Sequence, residues 1–314
     1  MALIGLEDIP LKLILFGGKG GVGKTTCAVS TALSLSKNFK TLLISTDPAH
    51  SLSDSIEQEV GTQIKELRGI KNLYALEISA EKALCEFKLK YKDEIKNILD
   101  SSTKLDEEDI DLILDLPIPG IDEVMGFKTI LDLIEEAKFE KYVVDTAPTG
   151  HALRLITLPA LLDDWIKVLA RMRWKYRFMV ERFSGKYNPD SSDDFLLNMK
   201  KTTKKIEKLL RNNLMCEFIP VTIPEDMAIL ETERLINVLY NYGIKVKQLV
   251  INNVFNSHGC EFCRTRSNEQ EKHVKLIAEK FHNLTTTIAP LESKEVKGIE
   301  SLENFKKRLF SNGK

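Results

Sequence analysis

The feature that most narrows the possible folds is the stretch Phe16-Gly17-Gly18-Lys19-Gly20-Gly21-Val22-Gly23-Lys24-Thr25-Thr26. It follows an apolar run at residues 11–16 and opens a helical pattern, and from Gly18 to Thr25 it satisfies G-x-x-x-x-G-K-[ST]. Glycines free the backbone amides to curl around phosphate oxygens, and the helix that follows adds unpaired N–H groups and the positive end of its dipole. A strand, a phosphate-sized turn and a helix in that order belong to a parallel sheet with its ligand at the carboxyl edge. The candidate nucleotide-binding residues are therefore Gly18, Lys19, Gly20, Gly21, Val22, Gly23, Lys24, Thr25 and Thr26. Lys24 has the charge to neutralise the β- and γ-phosphates of ATP, and Thr25 has the hydroxyl expected on Mg²⁺.

Further apolar or β-branched runs at 41–45, 73–78, 142–144, 218–221, 249–251 and 286–289 alternate with helical patterns. The fold class that follows is α/β, a doubly wound, mostly parallel sheet. Residues 155–215 break the alternation with helical periodicity and no strand, and 81–138 form a second helical patch that includes the acidic stretch 106–115. Together they predict a helical insertion subdomain within a single 314-residue domain. A net charge of -1 gives no sign of a nucleic-acid partner. No run reaches the roughly 18 apolar residues of a spanning helix, and the first ten residues have no basic leader, so a cytoplasmic protein is expected.

The acid that completes a Mg²⁺ site should end a later apolar strand, and Val143-Val144-Asp145 supplies it. Asp47 likewise follows a strand directly, where doubly wound sheets hold ligands; on residue type alone it could equally form an Asp-Pro turn or cap a helix. Cys260-Glu261-Phe262-Cys263 gives two thiolates to a metal that wants four ligands, so a two-fold dimer would complete a shared Zn²⁺ site. His258 as a third ligand, a redox dithiol or two plain loop thiols are the alternatives. Cys27, Cys85 and Cys216 sit in apolar patterns and are expected in the core.

Lys19 is the departure from an ordinary phosphate loop, which has no need of a lysine one residue after its first glycine. Such a cation can reach a nucleotide held by a facing subunit and offset transition-state charge in trans, and a solvated loop lysine is the plainer reading. At this point the chain resembles the ArsA/Get group of deviant Walker A ATPases over nearly its whole length. Residues 45–54, Ser45-Thr46-Asp47-Pro48-Ala49-His50-Ser51-Leu52-Ser53-Asp54, look like that family's switch I. Residues 145–154, Asp145-Thr146-Ala147-Pro148-Thr149-Gly150-His151-Ala152-Leu153-Arg154, look like its switch II. The resemblance implies a homodimeric ATPase in which Asp47 orients the attacking water and Lys19 acts as the signature lysine. It also implies that Asn252 contacts adenine, with the loop from Pro290 to Ile299 closing on the base. A strand-end Asn capping a turn is the plainer reading of Asn252. Cys260 and Cys263 fall where the eukaryotic-type targeting members of the group share zinc between subunits.

Trp165, Val168, Leu169, Met172, Tyr176, Met179, Val180 and Phe183 repeat at helical spacing, and Phe195, Met199, Ile206, Leu209 and Leu210 mark a second striped helix. Such stripes ordinarily cover one another or the sheet. In the family they form a groove for the hydrophobic transmembrane tail of a tail-anchored client, which is handed to a membrane receptor; Pro119-Gly120-Ile121-Asp122-Glu123 also resembles that relative. Arg171, Arg173, Lys175, Arg177, Arg182 and Lys186 make the first helix more basic than a client groove requires. The alternative role in the group is the ATPase subunit that drives an arsenite or antimonite pump. An As(III) site needs three thiolates near the switch and helical segments, yet 101–148 and 160–215 hold no cysteine. A MinD/ParA-type membrane-surface switch would need a basic amphipathic last helix, and Leu302, Phe305 and Leu309 with Lys306, Lys307 and Arg308 are expected instead to dock on the sheet.

Overall fold

The computed structural model describes residues 2–47, 51–102, 121–146, 149–256 and 259–310. Readings that fall on Pro48, Ala49, His50, Pro119, Gly120, Ala147, Pro148, His258 and the acidic stretch 106–115 lie outside the described residues.

Eight strands form one sheet in the order β3-β4-β2-β5-β1-β6-β7-β8: β1 (Leu13–Gly17), β2 (Thr41–Ser45), β3 (Lys65–Glu66), β4 (Leu73–Glu77), β5 (Lys141–Asp145), β6 (Cys216–Thr222), β7 (Gln248–Val254) and β8 (Thr285–Pro290). All neighbours pair in parallel except β3, which runs antiparallel at the edge. Every apolar run read from the sequence is a strand. β3 was not foreseen, because its two exposed charged residues have no apolar face to signal it. β1, β2 and β5 are buried along their full length, as parallel strands covered on both faces should be.

The helices are α1 (Lys24–Leu35), α2 (Ser51–Ile56), α3 (Ala80–Ser102), α4 (Ile121–Glu136), α5 (Thr149–Ser184), α6 (Ser191–Arg211), α7 (Asp226–Asn241), α8 (Glu261–Lys280) and α9 (Gly298–Phe310). The chain divides into two compact units. The first holds the sheet and comprises Met1–Ser79, Leu133–Ile156 and Leu209–Lys314; the second is helical and comprises Ala80–Asp132 and Thr157–Lys208. Among the described residues no helix is long and apolar enough to cross a membrane.

In the sheet unit, Val22, Cys27, Val29 and Leu33 join Ile14, Phe16 and Val143 in one core, and α9 docks there with Leu302, Phe305 and Leu309 fully covered. Burial of three such side chains contributes on the order of 5 kcal/mol, and Ser30 adds a hydrogen bond from its Oγ to the Leu302 carbonyl at 3.3 Å. The apolar face that a membrane-surface switch would offer to lipid is thus spent on α1. Lys141, wholly buried on β5, donates from Nζ to the carbonyls of Asp8 and Leu11 at 2.6 Å each and holds the amino-terminal segment to the sheet.

In the helical unit, Phe195, Met199 and Ile206 of α6 are buried, as their spacing predicts. The stripe on α5 is covered on a face rotated from the one expected. Ile166, Leu169 and Arg173 are buried, whereas Val168, Met179 and Phe183 are exposed. Arg173 accounts for the rotation: its guanidinium donates to Asp193 at 3.0 Å, pairs with Asp190 and lies over the Tyr176 and Tyr187 rings at 5.0 and 5.5 Å. One of the six basic residues of this helix is therefore the polar centre of the turn between α5 and α6. Cys85 also departs from expectation and is exposed, while Cys27 and Cys216 are buried.

Candidate functional site

The site grows from the junction of β1 and α1. Gly17 pairs with Pro220 of β6, and a Cβ on Gly18 would stand 2.2 Å from the Val221 carbonyl oxygen, so only glycine fits against β6 there. Gly23 caps α1 in the left-handed region, at φ 92°. The first amides of α1 are left facing the loop, the arrangement that binds anions.

Lys24 is buried at 6% exposure, and its Nζ reaches back to the Lys19 carbonyl at 3.1 Å, closing the loop into a ring. Burial lowers the pKa of this ammonium, while Asp145 and Asp47 act in the opposite sense. Thr25 Oγ1 donates to Asp145 Oδ2 at 2.6 Å. Asp145 ends β5 beside Phe16 of β1 and is 1% exposed. Burial pushes its carboxyl up to about 7, against the Thr25 hydrogen bond and the Lys24 charge and with a smaller push from Asp47. Its Oδ1 is buried without a hydrogen-bond partner. An unpaired buried carboxylate oxygen beside a threonine hydroxyl is the donor set of a hard divalent cation, so these residues fit Mg²⁺.

Asn252 lies at the other end. Its Nδ2 donates to the Val22 carbonyl at 2.9 Å, and its buried Oδ1 has no partner. A Cβ on Gly23 would fall 2.1 Å from Nδ2, so the loop and β7 are in contact. The next residue, Asn253, is left-handed at φ 56° and coincides with a register shift between β7 and β8. That bulge turns the strand end toward the loop, and Asn is among the residues that tolerate the conformation best. Two residues beyond, the Phe255 amide donates to Gln270 Oε1 of α8 at 2.6 Å, and Arg266 lies over the Phe255 ring at 5.7 Å.

Between these ends is a cavity of about 760 Å³. It is lined by Gly20, Gly21, Gly23, Lys24, Thr25 and Thr26, with Asp47, Asp54, Asn252 and the segment from Pro290 to Lys297 around them. That volume falls within the range of small-molecule sites. Lys19 is half-exposed and its side chain is not part of the lining. Asp47 is positioned by its own amide, which donates to Ser45 Oγ at 3.1 Å.

Two supporting residues escaped the sequence reading. Thr146 donates from Oγ1 to the Phe16 carbonyl at 2.8 Å, pinning the segment after Asp145 to β1. Glu77, buried at the end of β4, accepts from both the amide and the hydroxyl of Ser53 at 3.0 Å and anchors α2. Thr146 lies inside the switch-like match and could have been found there, whereas nothing in sequence links Glu77 to Ser53.

The two cysteines lie apart from the cavity lining. Cys260 is the N-cap of α8, and its Sγ accepts from the Cys263 amide at 3.4 Å. That hydrogen bond, together with others from Cys263 and Phe262, holds the Cys260 thiol below its ordinary pKa, toward the thiolate a soft metal binds. Among the described residues no three His, Cys, Asp or Glu side chains gather as a metal-ligand group.

A parallel sheet with this loop, a buried acid beside the loop threonine and a cavity of nucleotide size defines a P-loop ATPase. Comparison with known proteins places it further. Residues 11–311 match the anion-transporting ATPase family, and the chain belongs to it. It is 35% identical over 312 residues to an ATPase ASNA1 homolog of Paramecium tetraurelia, covering 96% of this chain and 92% of that protein. It is 36% identical over 309 residues to the ATPase ASNA1 homolog of Dictyostelium discoideum, at 96% and 90% coverage. The ATPase GET3 of Rhodotorula glutinis is 34% identical over 310 residues, at 95% and 87%.

Proposed function

We propose that this ATPase works as a homodimer that takes up the hydrophobic transmembrane tail of a client protein and delivers it to a membrane receptor. The observation that carries the reading is the helical unit's uncovered apolar surface. Leu89, Met179, Phe183 and Leu197 are exposed, Phe183 at 86%, in a unit where Leu169, Phe195, Met199 and Ile206 are packed. Exposed methionine and leucine on helices suit an adaptable apolar partner, and the likeness to the ASNA1 and GET3 ATPases points the same way.

In the nucleotide cavity, Asn252 Oδ1 accepts the exocyclic amine of adenine, and Lys24 with the amides of residues 20–26 holds the phosphates. Thr25 and Asp145 hold Mg²⁺, which when bound draws charge from the phosphate oxygens. Asp47 orients the attacking water, and Lys19, which is not among the residues lining its own cavity, reaches the nucleotide of the facing subunit. Cys260 and Cys263 with their symmetry mates form a four-thiolate Zn²⁺ site on the two-fold axis.

The test is co-expression with a protein bearing one carboxyl-terminal transmembrane helix. A soluble complex that is lost when that helix is deleted supports the reading. ATP turnover stimulated by arsenite, without client capture, assigns the chain to pump driving instead.

A further inference from the structure

Residues 163–208 carry twelve Lys and Arg against seven Asp and Glu, in a chain whose net charge is -1. The structure shows how that excess is exposed. Asp163 and Asp164 pair with Lys167, Glu181 pairs with Arg177, and Asp190 and Asp193 are taken by Arg173. Asp194 alone of the acids between α5 and the start of α6 is exposed outside these pairs. Arg171, Lys175 and Arg182 are exposed, and among the described residues no acidic side chain forms an ion pair with any of them.

These three follow at i, i+4 and i+11, which places them in one row along α5. The same spacing puts Trp174 and Phe178 on one side of the row and Val168 and Met179 on the other. Trp174 is 65% exposed, its ring stacked on Phe178 with centroids 5.9 Å apart. Phe178, Val168 and Met179 are each about half exposed. A row of cations flanked by aromatic and aliphatic side chains matches the boundary of a charged bilayer, where phosphates meet the basic groups and rings enter the acyl margin. A soluble polyanion would satisfy the cations and leave Val168 and Met179 in water.

The geometry points to this face of α5 as a docking surface for anionic lipid headgroups. The inference stands apart from client capture, since it requires neither a client nor a receptor protein.

The experiment uses the full chain with Trp165→Phe, which leaves Trp174 as the only tryptophan. Vesicles of phosphatidylcholine, with and without phosphatidylserine, are floated with the protein and Trp174 emission is recorded. Co-flotation with anionic vesicles, a blue-shifted emission and loss of binding at high salt are expected. At about fivefold per basic residue, Arg171→Gln with Lys175→Gln and Arg182→Gln weakens partitioning roughly a hundredfold and leaves ATP turnover unchanged. Arg171→Lys with Arg182→Lys keeps binding, which separates charge from a folding defect. Equal partitioning of the triple variant, equal binding to neutral vesicles, or capture of heparin without capture of vesicles overturns the inference. Failure of the co-expression test leaves it intact, because bare vesicles contain no client.

Discussion

Replacing Asn252 with alanine tests the cavity at its base-binding end and has two separable effects. Without nucleotide, the Val22 carbonyl loses the donor that reaches it at 2.9 Å and stays buried unpaired. Such a loss costs about 2 kcal/mol, which for a chain of this size lowers Tm by roughly 3 °C. With nucleotide, the change removes the free Oδ1 acceptor. On the proposed contact that oxygen meets an amine in ATP and a carbonyl oxygen in GTP, so ATP gains a hydrogen bond and GTP meets a repulsion. The ratio of kcat/KM for ATP to that for GTP should fall at least about tenfold in Asn252→Ala, chiefly through KM, because the contact is remote from the transferred phosphate. Steady-state phosphate release with each nucleotide and a thermal melt of the free protein give both numbers. A variant that loses stability but keeps the native ATP-to-GTP ratio would falsify the base-contact role and leave Asn252 as a brace for the loop.

Three further outcomes are expected. Asp145 has its carboxyl at about 7 when folded and near 4 when unfolded, so the folded state holds a proton that the unfolded chain releases between those values. Stability of the metal-free protein therefore falls as pH rises from about 4 to about 7, by at most about 4 kcal/mol, and Asp145→Asn should flatten that slope in thermal melts. Asp47→Asn should bind a fluorescent ATP analogue normally and hydrolyse ATP at least about a hundredfold more slowly; near-native turnover removes Asp47 from water positioning. Cys260→Ser with Cys263→Ser should lower zinc content by elemental analysis and shift mass by light scattering toward the monomer, and an unchanged dimer of unchanged zinc content rules out the shared site.

The sheet was legible because β1, β2 and β5 are buried on both faces and so are apolar through their centres, a pattern that needs no partner to interpret. The phosphate loop was legible for a related reason: its glycines meet backbone demands set within a few residues. What could not be read depends on segments far apart in sequence. Arg173 looks like one more surface cation until the following turn brings Asp190 and Asp193 to it. The contact of Gly23 with Asn252 exists only because β6 and β7 lie in sequence order beside β1. Cys85 shows the opposite error, since an apolar pattern around a small residue says nothing of which side of α3 is covered.

The Phe255 amide is held by Gln270, and Gln270 lies in the helix whose first residue follows Cys260. A helix of this length spans about 30 Å and transmits displacement as a stiff rod. The end of β7 and an exposed thiol are thus joined through the first half of α8, Phe255 being held at Gln270 in mid-helix and Cys260 standing at the N-cap about 15 Å away along the axis. Movement at the strand end and movement at the cysteine pair are in consequence one event, so the proposed base contact and the proposed zinc site share a mechanical path within each chain.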